Sequence, residues 1–188
     1  MKKNIKFAMR ELYWAYQGKK FKNPPLPAFT KSILYVCKGN ICRSPFAERL
    51  TNNLLEFGSN DLLLIRSAGI NATVANPPPK EAIDAAKVFG ICMDDHRARR
   101  LTQELICGSD MIVAMEVEHL KQLEEAYPES KNRLFLLPIF SNDQYRWGSY
   151  YRHYNIADPY GKNIEKFILC FENIKMCINN LLVKIGWK

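Results

Sequence analysis

The chain passes from the apolar run Ser32-Ile33-Leu34-Tyr35-Val36 into Cys37-Lys38-Gly39-Asn40-Ile41-Cys42-Arg43-Ser44-Pro45 and directly on into a helical pattern. That order reads as a strand, a tight loop and a helix start. Backbone N–H groups of such a loop and the positive end of its helix converge on one anion. Arg43 adds a planar fork suited to two phosphate oxygens. The loop is a cradle for phosphate with the thiol of Cys37 at its floor. Ser44 is placed to cap the helix, and Pro45 suits its first position.

Further strands are read at Leu62-Leu63-Leu64-Ile65, at 110–115 and at 134–137. The first of these is continuously apolar, as a strand covered on both faces should be, and Ser67-Ala68-Gly69 ends it. Helical patterns alternate with the strands. One runs over 44–57, with Phe46, Leu50, Leu54 and Phe57 on one face and Gly58 as a stop. Others cover 81–89, 102–106, 118–126 and 164–185. This alternation predicts an α/β fold in which a parallel sheet carries helices on both faces. Ligands of such sheets bind at the carboxyl ends of the strands, where Cys37 sits. At 188 residues one core suffices.

Residues 1–30 stand apart as a basic, aromatic extension, and 31–188 read as the main domain. The formal net charge of +8 is partly concentrated in Lys2, Lys3, Lys6, Arg10, Lys19, Lys20 and Lys22. Ile5, Met9 and Leu12 follow an i, i+4, i+7 spacing with Tyr13, Trp14 and Tyr16 nearby, which predicts a short amphipathic helix before Gly18. Asn23-Pro24-Pro25-Leu26-Pro27 is an extended linker. Lys6, Arg10 and Glu11 interrupt any secretory signal. The extension is expected to pack on the domain or on a second copy, or to dock on an anionic membrane surface. The six cysteines are irregularly spaced, and Cys92, Cys107, Cys170 and Cys177 lie in apolar segments. They read as reduced core residues of a cytoplasmic protein. Cys37 and Cys42 match neither a zinc pair nor a thioredoxin motif, and no second pair follows at zinc-ribbon spacing.

A thiolate attacks phosphorus well only if it exists at working pH, and a free cysteine is mostly protonated there. The helix end, the N–H groups of residues 38–43 and Arg43 all favour the anion, and Ser44 can add a hydroxyl hydrogen bond. Attack expels an alkoxide or phenoxide that needs a proton. Asp158, in Ile156-Ala157-Asp158-Pro159-Tyr160-Gly161, is the strongest donor candidate. It would protonate the leaving oxygen and then activate water against the phosphocysteine. An Asp-Pro alone is usually a turn; the loop gives this one a chemical role.

The stretch Val36 to Pro45, together with Asp158-Pro159-Tyr160, resembles the low molecular weight protein tyrosine phosphatases. The likeness extends through Ser67-Ala68-Gly69, the 90–101 stretch with His96-Arg97-Ala98-Arg99, the 111–115 strand and Leu136-Leu137, covering 31–188. It implies a four-stranded parallel sheet flanked by helices. Cys37 would be the nucleophile, Arg43 the phosphate holder and Asp158 the general acid, without metal or cofactor. Lys38, Gly39, Asn40, Ile41, Cys42, Ser44 and Tyr160 would contact substrate. Asn40, Ser44, Ser67 and His96 would hold the loop taut, with His96 a buried partner of Asn40. Cys42 would trap oxidised Cys37 as a reversible disulfide. The implied partner is a phosphotyrosine protein, in bacteria a tyrosine kinase governing exopolysaccharide export.

Some features depart from the family pattern. Lys38 occupies a position often apolar, where a cation would favour acidic neighbours of the phosphotyrosine. Gly161 stands where many relatives carry a second aromatic. The 139–157 segment is long and holds Tyr145, Trp147, Tyr150, Tyr151 and Tyr154 among Arg146, Arg152 and His153, as a lid or a docking surface would. Packing explains these aromatics as well as nucleic acid does, and no nucleic acid is expected. An arsenate reductase of the same fold would want a cysteine near Met115. A phosphoarginine phosphatase would favour threonine in place of Ile41. A phosphate-binding regulatory module is the non-enzymatic alternative.

Overall fold

Side chains of the first strand, β1 (Ser32–Cys37), alternate between two apolar layers. Ile33, Tyr35 and Cys37 face one, and Leu34 and Val36 face the other. Period-two alternation with both faces buried is the signature of a central parallel strand. The structure, a computed structural model, describes residues 2–56, 63–141 and 150–187. The remaining strands are β2 (Leu64–Gly69), β3 (Met111–Ala114) and β4 (Leu134–Leu136). All pair in parallel, in the order β2-β1-β3-β4.

In chain order the helices are α1 (Lys2–Gln17), α2 (Arg43–Glu56), α3 (Lys80–Lys87), α4 (Gln103–Cys107), α5 (Val117–Ala126), α6 (Tyr150–Tyr154) and α7 (Ile164–Lys184). Helices α2, α3 and α7 cover the face of Ile33 and Tyr35, where Phe46 stacks on Phe171 with centroids 3.9 Å apart. Helices α4 and α5 cover the Leu34 and Val36 face through Ile106, Val117 and Leu123. The sheet with helices on both faces is the expected three-layer α/β arrangement.

Cys170 and Cys177 are buried as read, whereas Cys92 and Cys107 are exposed, since they lie after α3 and at the end of α4 and not on a face turned to the sheet. Several element ends shift by one or two residues, and two boundaries bear on the site. β2 pairs with β1 from Ser32↔Leu64 to Cys37↔Gly69, so Ser67-Ala68-Gly69 belong to the strand instead of ending it. Register with the central strand outweighs the local apolar run. Leu62 lies outside the described residues, as do Phe57 and Gly58. Helix α2 starts at Arg43, which places Ser44 inside the first turn and frees its hydroxyl from capping.

The N-terminal segment lies on the domain. Trp14 stacks on Tyr154 at 6.0 Å and meets Tyr151 edge-on at 5.7 Å, with Phe21 completing the cluster. The described part of the aromatic segment is thus the seat of α1; Tyr145, Arg146 and Trp147 lie outside the described residues. The Ile5, Met9 and Leu12 stripe, whose spacing predicted the helix, faces solvent. Trp14 docks in its place, because a large ring with aromatic partners buries more area. Beyond α1, Asn23 accepts from the Leu136 N–H at 2.7 Å and donates to the Leu136 carbonyl at 3.2 Å. The linker so satisfies part of the open edge of β4.

Candidate active site

Cys37 ends β1 at the middle of the sheet, and the chain then turns over it through Asn40. Asn40 has φ +52°, a left-handed conformation that asparagine tolerates better than most residues. β2 passes close beneath: a Cβ on Gly69 would lie 2.8 Å from the backbone nitrogen of Asn40 and the oxygen of Lys38. Only glycine fits that crossing.

Every polar group of Asn40 is engaged. Its N–H donates to Cys37 Sγ at 3.3 Å. Its Nδ2 donates to Ser44 Oγ at 2.9 Å and Ser67 Oγ at 2.8 Å. Its Oδ1 accepts from the Arg99 N–H at 2.8 Å, and its carbonyl accepts from His96 Nε2 at 2.8 Å. Burial, as the main cause, lowers the His96 pKa and keeps the ring neutral. Ser44 Oγ, holding a bond from Asn40, lies 3.0 Å from Cys37 Sγ and 3.4 Å from the Ala68 carbonyl. Ser67 in turn donates to Glu48 at 2.5 Å, and Glu48 pairs with Arg99 at 2.9 Å.

Arg43, in the first turn of α2, is 2% exposed. It donates to Glu116, to the Ile156 carbonyl at 3.0 Å and to Asp158 Oδ2 at 2.6 Å. Burial opposes its charge, yet Cys37, Glu116 and Asp158 outweigh that and raise its pKa. Its Nε is buried without a partner, a donor left for an incoming acceptor. Asp158 is also held by the Tyr160 N–H, which donates to Oδ1 at 3.1 Å. The segment leading to it is pinned to the end of β3, since Ile156 N–H donates to the Met115 carbonyl at 2.9 Å and Val117 N–H to Asn155 Oδ1 at 3.1 Å.

These groups border a cleft of about 270 Å³. Cys37, Lys38, Gly39, Ile41, Cys42, Arg43, Asp158 and Tyr160 line it. Asn40 and Ser44, grouped with them from the sequence as substrate contacts, are instead fully buried beneath the loop. A larger cleft of about 850 Å³ lies behind the loop among Arg49, Asp95, Arg97 and Arg99, away from the thiol. Burial pushes the Cys42 thiol pKa up, with Asp158 and Cys37 adding to it, and Cys170 of α7 is pushed up to about 12 for the same first reason. Among the described residues no group of three His, Cys, Asp or Glu is arranged to hold a metal ion.

Several contributors escaped the sequence reading. Glu116 lies two residues past β3, and an acidic residue near the carboxyl end of a parallel strand was the available signal. Asn71, Thr73 and Asn76 form the cleft rim from the β2–α3 connection, and polar loop residues carry no such signal. His119 of α5 is buried close enough to sense the charges of Arg43 and Lys38.

Residues 32–188 match the profile of the family described as low molecular weight phosphotyrosine protein phosphatase. The chain is similar to the low molecular weight protein-tyrosine-phosphatase Etp of Escherichia coli, at 35% identity over 136 residues, covering 72% of this chain and 82% of Etp. It is 30% identical over 155 residues to the probable phosphatase EpsP of Ralstonia nicotianae, covering 82% and 96%. Among solved structures, the tyrosine phosphatase Wzb from Escherichia coli in complex with sulphate matches with TM-score 0.73 and 30% identity, covering 84% of this chain and all of that one. The YwlE arginine phosphatase from Geobacillus stearothermophilus matches with TM-score 0.71 and 30% identity, covering 82% and 92%.

Proposed function

This chain belongs to the low molecular weight phosphotyrosine protein phosphatase family, and from that premise we propose that it hydrolyses phosphotyrosine through a phosphocysteine formed on Cys37. The carrying observation is the meeting, in one cleft, of the Cys37 sulfur, the Arg43 guanidinium and the Asp158 carboxyl.

The Asn40 N–H donates to Cys37 Sγ and the Ser44 hydroxyl lies within hydrogen-bond reach of it, which fixes the sulfur at the floor of the cleft. The thiolate attacks phosphorus in line, and the bond between phosphorus and the tyrosine oxygen breaks. Arg43 stabilises the equatorial oxygens as charge spreads over them. Asp158 gives its proton to the departing phenolate. In the second step the Asp158 carboxylate takes a proton from water, whose oxygen attacks phosphorus as the S–P bond breaks. Phosphate leaves and the thiolate returns. Arg43 donates to Asp158, and a phosphate dianion that takes over the guanidinium frees that carboxyl to reach the leaving oxygen.

Residues 31–188 are the catalytic domain in this reading and 1–30 an accessory arm. The enzyme is cytoplasmic, in keeping with six free thiols, and acts on a phosphotyrosine protein, in bacteria a tyrosine kinase of exopolysaccharide export. Exposed Lys38 at the cleft mouth favours targets with acidic neighbours. Under peroxide, the Cys37 thiolate becomes a sulfenic acid. Cys42 then displaces its hydroxyl as water and forms a disulfide.

Turnover of an aryl phosphate in the presence of a chelator tests the chemistry. Cys37→Ser should abolish it, and Asp158→Ala should slow it by about 10²-fold or more; undiminished activity in Cys37→Ser would sink the mechanism. Because one neighbour is an arginine phosphatase and Ile41 lines the cleft, phosphoarginine belongs in the same assay. Preference for it over phosphotyrosine would reassign the substrate. Thiol mapping after mild peroxide should find the Cys37 to Cys42 pair, and reductant recovery that survives Cys42→Ala would argue against it.

A further inference from the structure

Residues 1–22 carry seven lysines and arginines against Glu11 alone, which is six of the eight net positive charges of the chain. The same segment holds α1, whose inner side is committed to the domain through Trp14 against Tyr151 and Tyr154. Its outer side is apolar. Ile5 is 53% exposed, Met9 66%, Leu12 71% and Tyr16 70%. At 3.6 residues per turn these four positions fall within an arc of about 60°. Tyr13, 53% exposed, borders them. The stripe runs along most of a sixteen-residue helix, about 24 Å long.

An exposed stripe of this kind calls for a covering surface. A second copy would bring two strongly basic segments against each other, and the repulsion would oppose the contact. An anionic bilayer supplies the opposite charge and an apolar layer at once. Among the described residues no helix is long and apolar enough to cross a membrane, so α1 would lie in the interface. Tyr13 and Tyr16 suit headgroup depth, with an apolar ring and a polar tip. We propose that α1 docks the protein on anionic lipid bilayers, its Ile5, Met9, Leu12 and Tyr16 stripe entering the boundary between headgroups and acyl chains. The chain runs from α6, on which α1 rests, through Asn155 and Ile156 to Asp158, so the docked helix is joined closely to the cleft.

The test is cosedimentation of the full chain with vesicles of phosphatidylcholine, alone or with about 30% phosphatidylglycerol. Binding to the anionic vesicles should exceed binding to the neutral ones at least about tenfold, and should weaken as salt rises from about 0.1 M to about 0.5 M. The double substitution Met9→Ser and Leu12→Ser leaves the charge intact and touches no packed side chain. It should reduce vesicle binding about tenfold or more, with the melting temperature and aryl phosphate turnover unchanged. Binding indifferent to the double substitution, or equal on neutral vesicles, would overturn the proposal. So would a lipid-free dimer in sedimentation that the double substitution disperses, since the stripe would then belong to a second copy.

Discussion

Arg43 Nη2 donates to Asp158 Oδ2 at 2.6 Å, so the cation read as the phosphate holder and the carboxyl read as the proton donor are each other's partners. Glu116 grips the same guanidinium from the end of β3. Two carboxylates balance one buried cation. In the proposed reaction Asp158 turns to the leaving group while Glu116 keeps orienting Arg43.

Glu116→Gln keeps the shape and removes that charge. Arg43 would retain one ionic partner, so the cost should be about 1–3 kcal/mol, below that of stranding a buried charge outright. In a chain of this size that lowers the melting temperature by about 3–10 °C. A loosened guanidinium also costs positioning, and kcat/KM for an aryl phosphate should fall about tenfold. Melting curves and steady-state kinetics check both, and wild-type values in the variant would show that Glu116 does not hold Arg43.

Asn40 joins a left-handed turn to a side-chain network, and two substitutions separate these roles. Asn40→Gly keeps φ +52° accessible and loses the amide. Asn40→Ala loses the amide and adds strain of about 1 kcal/mol. Both should reduce kcat about 10²-fold if the network to Ser44, Ser67, Arg99 and His96 sets the position of Cys37. The alanine variant should also melt lower than the glycine one. Full activity in Asn40→Gly would mean that the turn alone matters.

The sheet and the Cys37 loop were legible because their signals are local: apolar runs of strand length, and a cysteine, an arginine and a Ser-Pro within one turn. Asp158 became legible only beside that loop. Glu116 did not, since its role comes from β3 ending next to Arg43, a tertiary fact. The β2 boundary failed for a related reason, as pairing with β1 draws the polar Ser67 into the strand. Helix α1 was readable from its spacing, but the face that docks was not. Spacing marks an apolar stripe, and the choice between that stripe and Trp14 depends on Tyr151 and Tyr154, which lie more than a hundred residues away.

His119 gives the stability of the fold a pH dependence. Burial first, and then the positive charges of Arg43 and Lys38, push its pKa down to about 3, against about 6.5 in an unfolded chain. Between those values the unfolded chain binds a proton that the folded one refuses. Stability therefore rises with pH through this window, is fully present above about 6.5, and is lost as pH falls toward 3, by up to about 1.4 kcal/mol per pH unit. The lowered pKa of His96 acts in the same direction. His119→Gln removes the larger contribution, so its melting temperature should fall less than that of the wild type between about pH 6.5 and 5. Parallel curves for the two proteins would place the acid sensitivity elsewhere.

Gly18 sits where the arm meets the domain with no room for a side chain. It is buried, and a Cβ there would overlap the ring of Tyr154, which Trp14 and Phe21 already flank. With little room for the ring to move, Gly18→Ala should lever the arm off α6 and give up the aromatic cluster, a cost of about 1–3 kcal/mol. Lys19, Lys20 and Lys22 follow immediately, so detachment should appear as faster tryptic cleavage there, with a melting temperature lower by a few degrees, roughly as that energy implies. Gly18 is not among the residues lining the cleft, so turnover of an aryl phosphate should persist in the variant. Cleavage as slow as in the wild type, with an unchanged melting temperature, would mean that residues 1–17 are not held by this contact.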